Sequence, residues 1–259
     1  METIPGNIYD YPKYYDLIFG SDWKAEVDFL AACFDKHVSG KTERVFEPAC
    51  GTGRLIFRLA QHGYDMSGLD LNPKAVEYCQ KRLAKSGMVA DVFVGDMTDF
   101  KLKRKVDAAF NTINSFRHLS TEKQAVAHLQ CMANALRRGG VYVLGFHLTP
   151  TIGPATEEES WSARRGNLQV NTHMWLLERN LPQREEWYGM QFDVYTPTRN
   201  FRISDRILFR TYTRSQFEKL VKKVDGLEIE AIYDFAYDID SPIALANDTE
   251  DIVAVLKRR

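Results

Sequence analysis

The feature that most constrains the fold of this chain is the stretch RVFEPACGTGRLIFRLAQHGYDMSGLDLNP, residues 44–73. An apolar run at 45–50 predicts a strand, a glycine turn at 51–53 ends it, and residues 54–62 have helical spacing. A second apolar run at 65–71 predicts another strand. Two strands joined by a helix at this spacing indicate a parallel pair with a right-handed crossover.

The same alternation continues along the first part of the chain. Asn72 and Pro73 are residues favoured at the cap and the first position of the helix after the second strand. Further elements are predicted in the order strand, strand, helix, strand, at residues 92–96, 106–112, 120–138 and 140–148. This succession predicts an α/β fold with a Rossmann-like, doubly wound sheet.

The pattern then changes. Residues 151–166 show no period and are predicted to form a loop. Strand-like runs without a helix between them predict an antiparallel β insertion after the fifth strand, at 167–178, 186–196 and 201–213. Thr213 and Gln216 form a capping box at the start of a final helix. The last two strands, 227–235 and 251–259, are expected to pair antiparallel, because the loop between them is too short for a crossover helix.

Charge and cysteine usage narrow the classes of function. The chain has 34 basic and 35 acidic residues, so it lacks the basic surplus usual in proteins that bind nucleic acid. Its four cysteines form no CxxC pair, and neither a metal site nor a disulfide framework is expected. The sequence shows no signal peptide and no apolar run long enough to span a bilayer. We therefore expect a cytoplasmic protein with no membrane partner.

The glycine turn indicates where a ligand binds. Ligands of open α/β sheets bind at the carboxyl ends of the strands, where this turn lies. Gly51 and Gly53 would allow a ligand to approach the main chain closely. A dinucleotide-binding fingerprint would have a third glycine where this chain has Ile56, so a pyrophosphate ligand is disfavoured.

Three carboxylates accompany this turn on successive predicted strands. Glu47 would repel a phosphate and suits a cationic amine, Asp70 is placed to accept from both hydroxyls of a ribose, and Asp96 suits an adenine amine. Each of them alone would be an ordinary turn or capping residue. Together they describe an adenosine that carries an amino-acid tail and no phosphate.

The segments VFEPACGTG, GLDLNP, VGDM and LRRGGVYVL resemble, in their order and spacing, the class I S-adenosylmethionine-dependent methyltransferases. The resemblance covers residues 44–148 and the closing strand pair. It implies S-adenosyl-L-methionine as the cofactor and a seven-stranded sheet whose last strand is reversed. The cofactor-binding residues that it implies are Glu47, Ala49, Gly51, Gly53, Asp70, Leu71, Asp96, Met97 and Asn111.

The N-terminal segment YYDLIFG resembles the lid of small-molecule methyltransferases such as sugar N-methyltransferases and glycine N-methyltransferase. This resemblance implies that Tyr15 approaches the cofactor and the reacting centre, with Tyr9 as a weaker second, and that His118 lines the acceptor pocket. Tyr15 and His118 are therefore the predicted catalytic residues. Packing of the tyrosines onto the sheet and capping of the next helix by His118 are the alternatives. His147, at the end of the fifth strand, is a further candidate.

These elements divide the chain into N-terminal lid helices (1–40), a cofactor-binding core (41–149 and 211–259) and an inserted antiparallel β cap (150–210). The insertion is rich in aromatic residues and arginines, so it is expected to roof the site, to form a homodimer surface or to expose a solvated arginine face. A basic, aromatic roof would suit an acidic or ring-shaped substrate, with Arg199, Arg202 and Arg206 as its binding residues.

The predicted function is transfer of a methyl group to nitrogen or oxygen of a small molecule. An RNA or protein methyltransferase is an alternative, although the family's amino-methylating nucleic-acid enzymes commonly carry Asn/Asp-Pro-Pro-Tyr/Phe where this chain has NTIN, residues 111–114. A cofactor-binding module without turnover is a second alternative. A nicotinamide oxidoreductase is the least favoured, for want of the third glycine.

Overall fold

The structure is a computed structural model that describes residues 1–20 and 23–259. Residues 21 and 22, inside the predicted lid region, lie outside the described residues. The core is a seven-stranded sheet in the order β11-β12-β6-β5-β2-β3-β4. Its strands are β2 (Arg44–Pro48), β3 (Asp65–Asp70), β4 (Asp91–Val94), β5 (Val106–Asn111), β6 (Leu136–His147), β11 (Leu227–Tyr233) and β12 (Asp251–Arg258).

The predicted fold class is confirmed by this topology. Strands β2 to β6 are parallel, and the strand order reverses beside β2, which pairs with both β3 and β5. The reversed strand is β12, which lies antiparallel between β6 and β11, with Asp251 opposite His147. The carboxyl ends of the parallel strands therefore form one edge at which the switch in strand order opens a crevice.

Six α-helices accompany the strands in the described part of the chain. Asn72 caps the fourth by accepting a hydrogen bond from the Lys74 amide, with Pro73 at its first position, as predicted. The predicted capping box of Thr213 and Gln216 starts the sixth. The helices are α1 (Pro12–Phe19), α2 (Lys24–His37), α3 (Arg54–Gln61), α4 (Pro73–Lys85), α5 (Glu122–Ala135) and α6 (Arg214–Val221).

The core sheet is covered by helices on both faces. On one face, apolar residues of α5 and α6, such as Leu129 and Phe217, pack around the fully buried Phe46 and Tyr142. On the other face, α2, α3 and α4 pack around alternate residues of the same strands, such as Val45. Burial on both faces explains why the central strands read as apolar runs rather than as alternating patterns. No helix in the described ranges combines the length and apolarity needed to cross a membrane.

A second sheet stands beside the core, in the order β1-β10-β9-β8-β7. Its four long strands form an antiparallel meander, and the N-terminal strand joins β10 in parallel, with Thr3 opposite Arg202. The strands are β1 (Glu2–Pro5), β7 (Glu158–Arg165), β8 (Leu168–Asn180), β9 (Glu185–Tyr195) and β10 (Asn200–Arg210).

One local prediction was wrong in this region, and one strand was not predicted. Residues 151–166 were expected to form a loop, but Glu158–Arg165 is a strand, because β8 offers an edge that imposes pairing on a sequence of low strand propensity. The strand Glu2–Pro5, within the residues 1–40 that were predicted as lid helices, was not predicted, and it joins the inserted sheet. The pairing of β1 leaves no local signal, since its partner β10 is distant along the chain. Strand β7 forms a tight hairpin with β8 around Gly166 and Asn167, and this local turn signal was overlooked.

The N-terminal segment and the inserted sheet share one hydrophobic core. Ile8, Leu17 and Ile18 are buried against the same cluster as Phe192 and Ile203 of the inserted sheet. The amide of Ile8 also donates to the Asp205 carboxylate at 3.0 Å. The N-terminal segment is therefore anchored to the insertion through a shared core and a hydrogen bond.

Candidate active site

A cavity of about 680 Å³ lies where three parts of the molecule meet. Its floor is the carboxyl edge of the core sheet, and one wall is the N-terminal segment around Tyr9 and Tyr15. The inserted sheet closes it from above with the apolar side chains Trp161, Met174, Met190, Ile207 and Phe209. A cavity of this volume is in the range of small-molecule sites.

The turn after β2 has an unusual backbone. Ala49, Gly51 and Gly53 have φ of 52°, 54° and 68°, so three residues of this short segment adopt left-handed conformations. A Cβ added at Gly51 would meet nothing within 4 Å, whereas one at Gly53 would lie 2.1 Å from the buried Cys79 Sγ. Gly51 and Ala49 line the cavity, and Gly53 instead allows α3 to pack closely on α4.

Two of the predicted cofactor-binding residues are buried outside the cavity lining and carry acceptors without partners. The Oε2 atom of Glu47 and the Oδ1 atom of Asn111 have no hydrogen-bond partner among the described residues. The side-chain amide nitrogen of Asn111 donates to the Pro48 carbonyl at 2.8 Å, so the Oδ1 atom of Asn111 takes no part in this hydrogen bond. Burial raises the pKa of Glu47 well above its ordinary range, with Arg54 opposing this shift. Such orphaned acceptors suit a ligand that brings positively charged N–H donors.

Asp70 joins two strand ends. Its Oδ2 atom accepts from the Gly51 amide at 2.8 Å, and its Oδ1 atom accepts from the Asn72 amide at 2.8 Å. Burial raises the pKa of Asp70, and these two backbone hydrogen bonds oppose that rise. The carboxylate lines the cavity, so its remaining lone pairs are available to hydroxyl donors of a ligand.

The third predicted carboxylate lies at a more exposed end of the cavity. Asp96 is exposed and accepts from the Thr98 amide and hydroxyl at 2.7 and 2.8 Å. Met97 and Leu71 line the same region, and Leu71 is 72% exposed, which is high for a leucine beside a cavity. An apolar side chain left open in this way beside a cavity is suited to contact with a ligand.

The structure brings the two predicted catalytic residues to the same wall. Tyr9 Oη and His118 Nε2 are hydrogen-bonded at 2.8 Å, and the Tyr9 ring lies 5.4 Å from the Tyr15 ring. Desolvation by the cavity walls, with Arg117 contributing, lowers the pKa of His118 to about 4. Burial raises the pKa of Tyr15 to about 12. The cluster is therefore uncharged at neutral pH, and its members can orient a ligand through hydrogen bonds.

His147 also faces the cavity, from the end of β6. Its Nδ1 atom is 2.5 Å from Asp251 Oδ1 on the reversed strand, so one ring nitrogen is already occupied. His173, by contrast, lies on the other face of the inserted sheet, where it bonds Glu158 at 2.7 Å and stacks on Trp175.

The prediction of a basic roof was wrong. Within the described residues no arginine side chain lines the cavity. Arg199 pairs with Glu2 at 2.6 Å, Arg202 pairs with Asp193 at 2.6 Å, and Arg206 lies over Trp187. The charged residue that the inserted sheet contributes to the cavity is Glu159. Side chains alternate between the two faces of a strand, and on β7 the face towards the cavity carries Glu159 and Trp161.

Two residues at the site were missed by the sequence analysis. Glu159 was placed in a loop, where no facing direction could be assigned to it. Asn72 was predicted only as a helix cap, but its side-chain amide also donates to the Tyr9 carbonyl at 2.9 Å and to Asp10 at 3.0 Å. The sequence reveals the local role of Asn72 as a helix cap. Its second role, holding the N-terminal segment at the cavity, depends on residues far away in the chain and leaves no local pattern.

Comparisons with known proteins agree with this geometry. A family model described as a methyltransferase domain matches residues 45–140. A dTDP-3-amino-3,4,6-trideoxy-alpha-D-glucopyranose N,N-dimethyltransferase from Streptomyces venezuelae is 26% identical over 85% of this chain and 91% of its own length.

Solved structures share the fold over nearly the whole chain. An S-adenosylmethionine-dependent methyltransferase from Clostridium acetobutylicum superposes with a TM-score of 0.78 at 18% identity, covering 97% of this chain and 99% of its own. A sugar N-methyltransferase from Streptoalloteichus sp superposes with a TM-score of 0.74 at 18% identity, covering 98% of this chain and 94% of its own. The inserted sheet lies within these matched lengths.

The turn geometry predicts unequal costs for two glycine substitutions. Gly53→Ala and Gly87→Ala both place a side chain at a left-handed position, with φ of 68° and 64°, which costs about 1–2 kcal/mol. Only Gly53→Ala also drives a methyl group into Cys79, whereas nothing lies within 4 Å at Gly87. We expect Gly53→Ala to lose about 1–3 kcal/mol more of the free energy of unfolding in urea titrations. Equal losses would contradict the steric account.

The buried His128 supports the loop around Met97 and predicts a pH dependence of stability. Its Nδ1–H donates to the Met97 carbonyl and its Nε2 accepts from Tyr142, both at 2.9 Å. Burial lowers its pKa from 6.5 to about 4. Between these values the unfolded chain binds a proton that the folded chain does not, so stability falls as pH drops through this window.

His128→Asn should remove this contribution, which is roughly 3 kcal/mol at most. The loss of unfolding free energy between pH 7 and pH 4.5 should therefore be smaller in the variant than in the native chain, whatever the variant loses at pH 7. His62→Asn, at an exposed position, is the control and should leave the pH dependence unchanged. An identical pH dependence in all three proteins would contradict the assignment.

Proposed function

We propose that this chain, a class I S-adenosylmethionine-dependent methyltransferase that acts on a small molecule, transfers the methyl group to the amine of an amino sugar. The relative from Streptomyces venezuelae, whose name describes N,N-dimethylation of an amino sugar, aligns over most of both chains. The observation that carries the proposal is the cavity, which combines cofactor-type acceptors on its floor with an apolar roof and one carboxylate, Glu159.

The described residues fit the cofactor. Glu47 and Asn111 offer unpaired buried acceptors to the amine of its methionine part, and the main chain at Gly51 leaves space beside it. Asp70 offers acceptor capacity to ribose hydroxyls, and Asp96 to an adenine amine. The bound cofactor supplies a methyl group that its sulfonium charge has already activated. What this chain must add is alignment of the acceptor and exclusion of water, which together can remove about 7–11 kcal/mol of barrier.

The acceptor half of the cavity suits an amine. The carboxylate of Glu159 would attract an ammonium group, and the apolar roof would pack against a sugar ring. The amine must lose a proton before it attacks a methyl group, because only its free lone pair is nucleophilic. His118, whose pKa is lowered to about 4, is too weak a base to accept that proton readily. We therefore assign His118 and Tyr15 to orienting the acceptor, with Tyr9 holding His118 in place through its hydroxyl.

A methyl-transfer assay tests the proposal. The purified chain is incubated with S-adenosylmethionine and a panel of amino hexoses, free and dTDP-linked, each beside the parent sugar with a hydroxyl in place of the amine. Mass spectrometry should show the gain of one or two methyl groups on an amino sugar and none on its hydroxyl parent. Methylation of the hydroxyl parents, or of no sugar while the chain binds S-adenosylhomocysteine, would refute the amino-sugar assignment and leave the methyltransferase assignment standing.

Glu159→Gln should weaken recognition of the amine. Loss of one charge-assisted contact is worth about 1.5 kcal/mol, so KM for the amino sugar should rise about tenfold while KM for the cofactor stays unchanged. Glu158→Gln is the matched control, because the neighbouring carboxylate bonds His173 on the opposite face of the sheet. Equal effects of the two substitutions would exclude a specific role for Glu159.

Three other predictions from the sequence stay predictions: the lack of a nucleic-acid partner, a homodimer through the inserted sheet, and a cytoplasmic location. The inserted sheet contributes one face to the cavity, and its other face carries polar side chains such as Asn171, Gln191 and Asp193. A dimer would have to use that second face, or an edge of the sheet.

A further inference from the structure

The aspartate of the YYDLIFG segment has a role that its neighbouring tyrosine does not share. Tyr15 lines the cavity, whereas Asp16, the next residue on the same helix, is turned away from it and is 1% exposed. A carboxylate buried to this degree is costly unless several donors surround it. The donors around Asp16 come from three separate parts of the fold.

One donor comes from the cofactor turn itself. The hydroxyl of Thr52, which lies between Gly51 and Gly53, donates to Asp16 Oδ1 at 3.2 Å. Thr52 is itself buried, at 4% exposed, and also lines the cavity. The lid helix and the glycine turn are thus joined by a direct hydrogen bond.

Helix α4 and the inserted sheet supply the other donors. Arg82 forms an ion pair with Asp16 Oδ1, and the hydroxyl of Tyr78 donates to Asp16 Oδ2 at 3.2 Å. The guanidinium of Arg82 also lies over the Tyr78 ring, 5.4 Å from its centroid, which holds the pair together. Arg165, near the end of β7, reaches Asp16 Oδ2 at 3.5 Å from a largely exposed position.

We propose that Asp16 is a positioning residue that couples closure of the lid to binding of the cofactor at the glycine turn. This inference deepens the function proposed above and rests on it. The carboxylate fixes Tyr15 over the cavity and, through Thr52, fixes the turn whose backbone faces the ligand. Coupling between two sites is reciprocal. A ligand that orders the turn therefore also orders the lid, and a lid held in place raises the affinity for the ligand.

The experiment measures binding of S-adenosylhomocysteine to the full-length chain by calorimetry. Asp16→Asn keeps the shape of the side chain but removes the charge that holds Arg82. We expect its Kd for S-adenosylhomocysteine to rise about tenfold, within the range of typical coupling energies. We also expect amide exchange of residues 8–19 to lose the protection that S-adenosylhomocysteine gives in the native chain.

Asp107→Asn is the matched control. Asp107 is 5% exposed, pairs with Arg137 at 2.5 Å and accepts from the Arg44 amide at 2.8 Å. It lies near the amino end of β5, whereas the cavity lies at the carboxyl ends of the strands. Both variants should lower the melting temperature, and only Asp16→Asn should weaken binding of S-adenosylhomocysteine. Equal Kd values for the two variants and the native chain would overturn the proposal.

A milder substitution keeps the proposal testable if Asp16→Asn fails to fold. Tyr78→Phe removes a hydroxyl that bonds Asp16, at a position outside the cavity lining, and should raise Kd for S-adenosylhomocysteine. A purely structural role of Asp16 predicts a native Kd for this variant, and that result would overturn the coupling. If the native chain itself does not bind S-adenosylhomocysteine, the proposed function fails rather than the role of Asp16 alone.

Discussion

The hydrogen bond from the Gly51 amide to Asp70 is the contact on which the rest of the site depends. It joins the ends of two adjacent parallel strands, and it holds a turn that contains three left-handed residues in one conformation. A turn of that kind is unstable by itself, because non-glycine residues such as Ala49 resist positive φ. Once it is fixed, the turn exposes its backbone to the cavity, places Thr52 against the lid helix and starts α3 above Glu47. The cofactor half of the site is therefore a consequence of one carboxylate at one strand end.

The acceptor half has a different origin. It is built by elements far apart in the sequence, namely the N-terminal segment, the 3₁₀ turn Ser115–His118 and the inserted sheet. Shared burial joins the first and the last of these, since Ile8 and Leu17 pack in the same cluster as residues of β9 and β10. The wall and the roof of the cavity therefore form one packed unit. This arrangement separates the two halves of the cavity, because the core sheet forms its floor while the N-terminal segment and the insertion form its wall and roof.

The parts of the structure that sequence could predict are those with local causes. The order of strands and helices, the caps at Asn72 and Thr213, and the carboxylates at the strand ends follow from propensity, periodicity and the rule that ligands bind at carboxyl ends. The strand Glu2–Pro5 was missed because its cause is pairing with a distant partner. The strand Glu158–Arg165 was missed although its cause is local, since its low strand propensity hid the hairpin that it forms with β8 around Gly166 and Asn167. The arginines of the insertion were misassigned because composition gives their number, but only the register of the sheet gives their direction.

The charges around the cavity follow from the register of the inserted sheet. Arginines of the inserted sheet form salt bridges with Glu2, Asp193 and other acids, whereas Glu159 of the same sheet lines the cavity. His118 is held neutral by its surroundings, and Tyr15 keeps its proton to high pH. The charge that the inserted sheet turns towards the cavity is therefore negative, and it lies on the same face of the sheet as the apolar side chains of Trp161 and Met174. The register of one hairpin thus decides both the polarity and the packing of the cavity roof.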